Sequence, residues 1–519
     1  MPTWSLRTRL FVFFFLALNF LFLLTSSGRV RTRDELSADL QAESIATRGS
    51  TATPQAGNFY FYGKFDRAGQ PQPPYGAAHA ALLVPWYAAG RVLRAIVPGI
   101  PSNARDAALD AVVVASSATF AALACALIFL ILSQLGVSNL AALLAASMAA
   151  LATPLFSYSS WLYSEPLTAA LFLATAAVLF RGGDAAITAK QAALAGLLLG
   201  IALWVRPAHV IATPVFLLAI LFRDRQRAWR AAFIAASIVG CFGLAYLARN
   251  LHLFGNPFDF GYPHVSDGGK NINSFDTPIF TGLFGLLLSP GKSVFLFAPP
   301  ILLAIPGLRR LARLDKGLAF VAAAIPLVYL FFYAGYTQWE GGFCVGPRYM
   351  VPSIALLCLG LGPMLDAARS TAASRSLHWA RRAALVLFLL GVGVQAMTAA
   401  TSYLEDQANG NYYDTQYNYR MDYDPLVTMS RQLAHYVASP EPAAIGRGFD
   451  RWFVFLPKAG IAGGTVAAFF IAELAGCLIF SLLLVKQFRE AAGSASPAAA
   501  RGALAPETHA QATPGASGF

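Results

Sequence analysis

The sequence predicts an all-α polytopic membrane protein. Three observations carry that expectation. Of 519 residues, 57% are hydrophobic and only 12% are charged, where a soluble globular chain carries about 25% charged residues. Mean hydropathy is +0.55. Apolar runs of spanning length recur along most of the chain, each bounded by basic or loop-forming residues. This composition excludes an ordinary soluble enzyme, a disordered chain and a fibrous one.

The first expected span is Leu10 to Leu24, behind Arg7 and Arg9. It resembles a signal peptide, but no clean A-x-A cleavage site follows, so it reads as an uncleaved helix with its N-terminus inside. Further spans are expected near residues 108–133, 138–156, 164–180, 188–205, 208–222, 231–250, 291–308, 317–336, 349–365, 381–402 and 461–485. That makes about twelve. Segment 78–97 carries Pro85, Trp86, Tyr87, Arg91 and Arg94. Its amphipathic pattern places it on the membrane surface, as a juxtamembrane helix of the first outer loop.

Charge supports this count. The net charge is +12, from 38 Lys+Arg against 26 Asp+Glu. With twelve spans the basic clusters fall on one side: Arg223 to Arg230, Arg309 to Lys316, Arg369 to Arg382, and Lys486 with Arg489. The positive-inside rule makes that side cytoplasmic and accounts for the charge without nucleic acid. Both termini are then cytoplasmic, and segments 26–107, 251–290 and 403–460 face outward. Residues 1–402 read as one bundle, 403–460 as an outer loop or small subdomain, 461–489 as the last span and 490–519 as a disordered tail. The five cysteines form no CxxC pair and read as small apolar residues.

The same orientation leaves several cations on the outer side: Arg206 with His209, Arg249, Lys292 and Arg348. Snorkelling to headgroups explains any one of them. Together they suggest an anionic ligand such as a lipid phosphate, whose oxygens match the planar fork of arginine. Gly291-Lys292-Ser293 resembles the end of a P-loop, but Leu286 stands where the required glycine would be, which excludes nucleotide binding there.

Acidic residues fall on the same face. Asp34 and Glu35 follow the first span, and Glu165 stands between Ser164 and Pro166 at the start of another. Helix capping is the plainer role for all three. The functional alternative is a general base whose pKa is raised by low dielectric. In segment 403–460, Tyr403, Tyr412, Tyr413, Tyr417, Tyr419 and Tyr423 alternate with Asp414, Asp422 and Asp424. They suit either an interfacial belt or sugar recognition, and Trp339 shares that ambiguity.

Taken in order, these pieces resemble the GT-C superfamily of integral-membrane glycosyltransferases, the group that includes protein O-mannosyltransferases and lipid A aminoarabinose transferases. The pieces are Asp34-Glu35, the Pro73-Pro74-Tyr75-Gly76 turn, Ser164-Glu165-Pro166-Leu167, and Arg249-Asn250 followed by Phe254 to Phe258 and Gly261-Tyr262. Leu288 to Lys292, Trp339-Glu340-Gly341-Gly342 and Gly346-Pro347-Arg348-Tyr349 complete them.

The resemblance covers residues 1 to about 400 and implies a GT-C-like bundle in the bacterial inner membrane. It implies a sugar donor on a polyprenyl phosphate and inverting transfer on the outer face to a lipid, glycan or protein acceptor. By analogy Asp34, with Glu35 beside it and Glu165, is catalytic. Arg249, Lys292 and Arg348 hold the donor phosphate, and Tyr262, Trp339 and Glu340 bind substrate. Gln72 stands where aminoarabinose transferases tend to have lysine, with Lys64 and Arg67 as nearby substitutes. No cofactor is required. Asp34 and Glu165 offer hard oxygen ligands to a divalent metal, but no firm ligand set is visible. Two other classes remain open: a lipid-linked sugar flippase or other transporter, which would place charges at mid-membrane, and a non-catalytic assembly protein.

Overall fold

The computed structural model describes residues 4–58, 63–101, 105–181, 186–222, 225–262, 266–267, 270–271, 273–342, 344–369, 375–401, 419, 425–438 and 451–494. Among these the chain is helical apart from two short antiparallel ladders. One pairs Lys64–Phe65 with Pro71–Gln72, and the other pairs Ser266–Asp267 with Lys270–Asn271.

The chain is an integral membrane protein with multiple helical spans. Seven helices among the described residues are long and apolar enough to cross a bilayer: Leu6–Leu24, Asp106–Gln134, Ala228–Phe254, Lys316–Gly335, Arg348–Ala367, Trp379–Ala400 and Gly463–Glu490. Five more apolar helices are shorter: Asn139–Leu151, Glu165–Leu179, Ala189–Val205, Pro207–Ile220 and Ile279–Leu288. The expectation of about twelve full spans is therefore met only in part. At about 1.5 Å per residue, such helices fall short of a roughly 30 Å hydrocarbon core.

Proline accounts for several of the short lengths. Arg206 precedes Pro207 and is extended (φ −153°, ψ 127°), which ends one helix and starts the next. The expected span 291–308 is broken: Val294–Phe297 is a single turn, Pro299-Pro300 follow, and a new helix runs Ile301–Leu314.

The helices that matter below are α1 (Leu6–Leu24), α2 (Arg33–Arg48), α3 (Ala77–Ile96), α4 (Arg105–Gln134), α5 (Asn139–Leu151), α6 (Glu165–Leu179), α7 (Ala189–Val205), α8 (Lys316–Ala334), α9 (Val351–Leu357), α10 (Leu361–Arg369), α11 (Arg375–Ala400) and α12 (Gly463–Ser494). The expected surface segment 78–97 is α3. It packs on α2, α4 and α7. A core of small residues lets α4, α5 and α6 approach closely; Ala121, Ala124, Ala145, Ala169 and Ala176 are all fully buried.

Ahead of α12, Arg451 donates to the carbonyls of Thr25 and Ala399, at 2.7 and 2.6 Å, and so ties the late segment to the end of α1. The last helix runs to Ser494, past the expected end at 489. Residues 495–519, most of the expected tail, lie outside the described residues. So do Tyr403, Tyr412, Tyr413, Tyr417, Tyr423, Asp414, Asp422 and Asp424.

Candidate active site

Several chain segments end at one face of the bundle, and their ends form the site. Helix α2 starts there, α3 starts there just after Tyr75, α6 starts there, α7 ends there, and Arg348 opens the single helical turn before α9. A side chain at a helix end needs no long reach, so the ends alone bring Asp34, Tyr75, Glu165, Arg206 and Arg348 together.

Asp34 and Glu35 are adjacent but do different things. Glu35 forms a capping box with Thr32: its Oε2 accepts from the N–H groups of Thr32 and Arg31, both at 2.9 Å. Its Oε1 accepts from the Leu162 N–H at 2.8 Å, and the residue is fully buried. Glu35 thus fastens the start of α2 to the loop before Glu165. Asp34 points about 100° further round the helix. Its Oδ1 accepts from the Tyr75 hydroxyl and its Oδ2 from Arg348 Nη1, each at 2.5 Å, while 24% of its side chain stays open.

Arg348 and Arg206 form the cationic half. Arg348 Nε donates to Glu165 Oε1 at 2.8 Å, and Arg206 Nη1 lies 3.3 Å from the same oxygen. The Arg348 guanidinium sits over the Tyr163 ring at 3.8 Å, and that of Arg206 lies 5.5 Å from the ring centres of both Tyr75 and Tyr349. Among the buried polar atoms of the described residues that have no hydrogen-bond partner are Glu165 Oε2 and Arg206 Nε, both in this cluster. An acceptor and a donor are thereby left for a ligand.

Protonation follows from this arrangement. Burial alone would raise the pKa of Asp34. Arg348 and the Tyr75 hydroxyl outweigh it and hold the carboxyl below its usual range. This corrects the expectation of a raised pKa: Asp34 is ionised at neutral pH, a weak base but a well-oriented acceptor. His79, on the first turn of α3, is pushed down to about 3 by burial and by the two guanidiniums, so it is neutral.

The other expected residues lie elsewhere or act differently. Lys292 is 2% exposed and donates to the Cys344 carbonyl at 2.7 Å, which holds the loop leading into Arg348. Arg249 rests on the Tyr246 ring, 5.9 Å to its centre. Tyr262 meets the Tyr75 ring edge to face at 6.4 Å and so borders the site. Trp339 is buried against Gly285 and Tyr419. Glu340 is half-buried near Lys292 with its Oε2 shielded from solvent, and that partial burial pushes it up to about 6 against the lowering effect of its own backbone N–H and of Lys292.

Lys64 pairs with Asp259 at 2.8 Å, and Arg67 covers Gly255, so both hold the first loop to the Phe254–Asp259 turn. Among the described residues no group of three or more His, Cys, Asp or Glu side chains is placed to hold a metal. Asp34 and Glu165, the carboxylates offered for one, are bridged by Arg348.

Solved structures that the chain resembles include those of two proteins. One is ArnT from Cupriavidus metallidurans. Its apo crystal structure matches over 92% of this chain and 76% of that one, at 14% identity and TM-score 0.49. The structure of ArnT bound to undecaprenyl phosphate matches over 96% and 81%, at 14% identity and TM-score 0.48. The other is the Archaeoglobus fulgidus oligosaccharyltransferase in the apo form, with 77% of this chain on 56% of that one, 14% identity and TM-score 0.49. No protein-family model and no curated protein sequence matches the chain.

The sequence places Arg206 among the outer cations without revealing its partner, carries Tyr75, Tyr262 and Tyr349 only as motif residues, and gives no sign of His79 or of the tyrosine rings meeting the two guanidiniums. The one local sign for Arg206 is the Pro207 behind it, which ends the helix and frees the side chain.

Proposed function

We propose that the protein is a membrane glycosyltransferase that moves a sugar from a polyprenyl-phosphate donor to a hydroxyl or amine of a lipid, glycan or protein acceptor. The observation that carries this reading is the Arg348 bridge between Asp34 and Glu165, with Arg206 beside it. The order of the motifs in the sequence supports it as well. In this reading the site lies on the outer face of a bacterial inner membrane.

Transfer breaks the bond from the sugar C1 to the phosphate oxygen and forms a bond from C1 to the acceptor atom, with inversion. Negative charge grows on the departing lipid phosphate, where Arg206 and Arg348 stabilise it. Glu165 Oε2 takes a hydrogen bond from a sugar hydroxyl. Asp34 orients the acceptor O–H or N–H and receives its proton late, as the new bond forms, because a carboxylate held below its usual pKa removes a proton only from a strongly acidified acceptor. The oxocarbenium-like sugar gains from the same nearby carboxylates.

The test uses purified protein in lipid with a panel of radiolabelled polyprenyl-phosphate sugars, scoring binding and turnover separately. Wild type should consume one donor, Asp34→Asn should bind it without turnover, and Arg348→Ala should lose binding. A donor carried across the bilayer uncleaved, equally in wild type and both variants, would establish the flippase class instead.

A further inference from the structure

A separate cavity of about 470 Å³ lies between α5, α10 and α11. Its walls are mainly apolar, with Leu144, Met148, Leu365, Ala384, Leu385 and Phe388 beside the one small polar side chain of Ser147. Met148, Leu365 and Ala384 form a buried floor, while Leu144 and Leu385 stand exposed at the rim. Arg381 lines the same cavity and is exposed.

The shape follows from how two helices cross. At Gly391, α11 comes so close to α5 that an added Cβ would lie 2.6 Å from the Ala152 carbonyl oxygen. From that crossing back to Arg381 the helices leave a wedge, lined on the α11 side by Phe388, Leu385, Ala384 and Arg381. Phe388 to Arg381 is about 10 Å of helix. The wedge therefore reaches from a charged residue at one end of a membrane-spanning helix well into one leaflet. Trp379, 69% exposed, stands two residues before Arg381, where indoles mark the interface. The acidic Asp366 beside Leu365 is hydrogen-bonded to Ser138 at 2.5 Å.

We propose that this wedge is a binding site for one anionic phospholipid, its acyl chain lying on Met148, Leu365 and Ala384 and its phosphate on Arg381. Charge complementarity selects the anionic headgroup. The apolar floor rules out a free phosphate or a soluble anion as the occupant, since neither would fill it. The size, in the range of about 300–1,000 Å³ found for small-molecule sites, suits a single chain rather than a helix. The site stands apart from Asp34, Glu165 and Arg348 and does not rest on the transferase reading.

Native mass spectrometry of the full chain in detergent, titrated with phosphatidylglycerol and with phosphatidylcholine of the same chains, tests this. Wild type should retain one phosphatidylglycerol in preference to phosphatidylcholine. Arg381→Glu should weaken phosphatidylglycerol about fivefold or more, since one interfacial arginine contributes on that scale. Ala384→Phe should weaken both lipids by filling the floor. Arg382 lines no part of the wedge and rests on Trp379. Arg382→Glu should therefore leave retention unchanged, and its intact melting temperature controls for folding. Equal retention of the two lipids, unchanged binding in Arg381→Glu, or an equal loss in Arg382→Glu would overturn the proposal, the last by showing diffuse attraction to a basic belt.

Discussion

Arg348 Nη1 lies 2.5 Å from Asp34 Oδ2, a contact between residues 314 positions apart. The same guanidinium reaches Glu165 through Nε at 2.8 Å. Only arginine presents two donors at that spacing on a rigid plane. Arg348→Lys keeps the charge but serves one carboxylate at most and leaves the other buried without its partner. We expect a loss of about 3 kcal/mol in stability and about 100-fold or more in donor turnover. Melting in detergent and single-turnover kinetics report the two separately. A lysine variant that melts and turns over like wild type would show that the bridge is incidental.

Glu35 and Asp34 should separate in the same assays. Glu35→Ala removes three hydrogen bonds to one buried carboxylate. It should lower stability by about 2–4 kcal/mol while protein that remains folded still binds donor. Asp34→Asn can keep its carbonyl oxygen toward Arg348 while its amide donates to the Tyr75 hydroxyl oxygen, so it should bind donor near normally and lose turnover. The reverse pattern would exchange the roles of the two residues.

Gly76 allows Tyr75 to reach Asp34. A Cβ at Gly76 would lie 1.8 Å from the Trp204 carbonyl oxygen, near the end of α7. Backbone cannot yield as a flexible side chain does. Gly76→Ala should push α3 off α7, cost about 1–3 kcal/mol and cut turnover by displacing Tyr75. Tyr75→Phe is the companion variant: it removes the hydroxyl without moving the backbone, so it should reduce turnover with little change in melting. If Gly76→Ala were active and stable, the close approach would not govern the site.

How far the sequence leads is clear from these residues. Apolar runs read directly as helices, because in lipid a backbone must satisfy its own hydrogen bonds. Span lengths are less legible, since Pro299-Pro300 cut a run that hydropathy averages over. Asp34, Glu165 and Arg348 are visible as motif residues, yet their pairing is not, because no local pattern encodes which distant helix ends meet. Asp34 and Glu35 cannot be told apart by composition. One helical step of about 100° sends one into the site and the other into a cap. The direction of the Asp34 shift is lost for the same reason: burial can be anticipated from sequence, but the guanidinium that outweighs it cannot.

Glu340 supplies a pH dependence with a definite sign. Burial raises its pKa from 4.5 to about 6 in the folded protein, against the opposing pull of its own backbone N–H and of Lys292. The folded state then holds the proton more tightly than the unfolded state does. Between about pH 4.5 and pH 6 the unfolded chain ionises first, so the stability contributed by protonated Glu340 is fully present below that window and is lost as pH rises through it. The loss is on the order of 2 kcal/mol. Glu340→Gln keeps the shape and never ionises. It should melt like wild type at pH 4 and higher than wild type at pH 7.5, with Lys292 still held by the Cys344 carbonyl at 2.7 Å. Melting curves of both proteins across pH 4 to 8 measure this. A variant that loses stability at pH 7.5 would mean that the ionised carboxylate has a favourable partner in the folded loop, and the Glu340 pKa would then have to lie below its ordinary value.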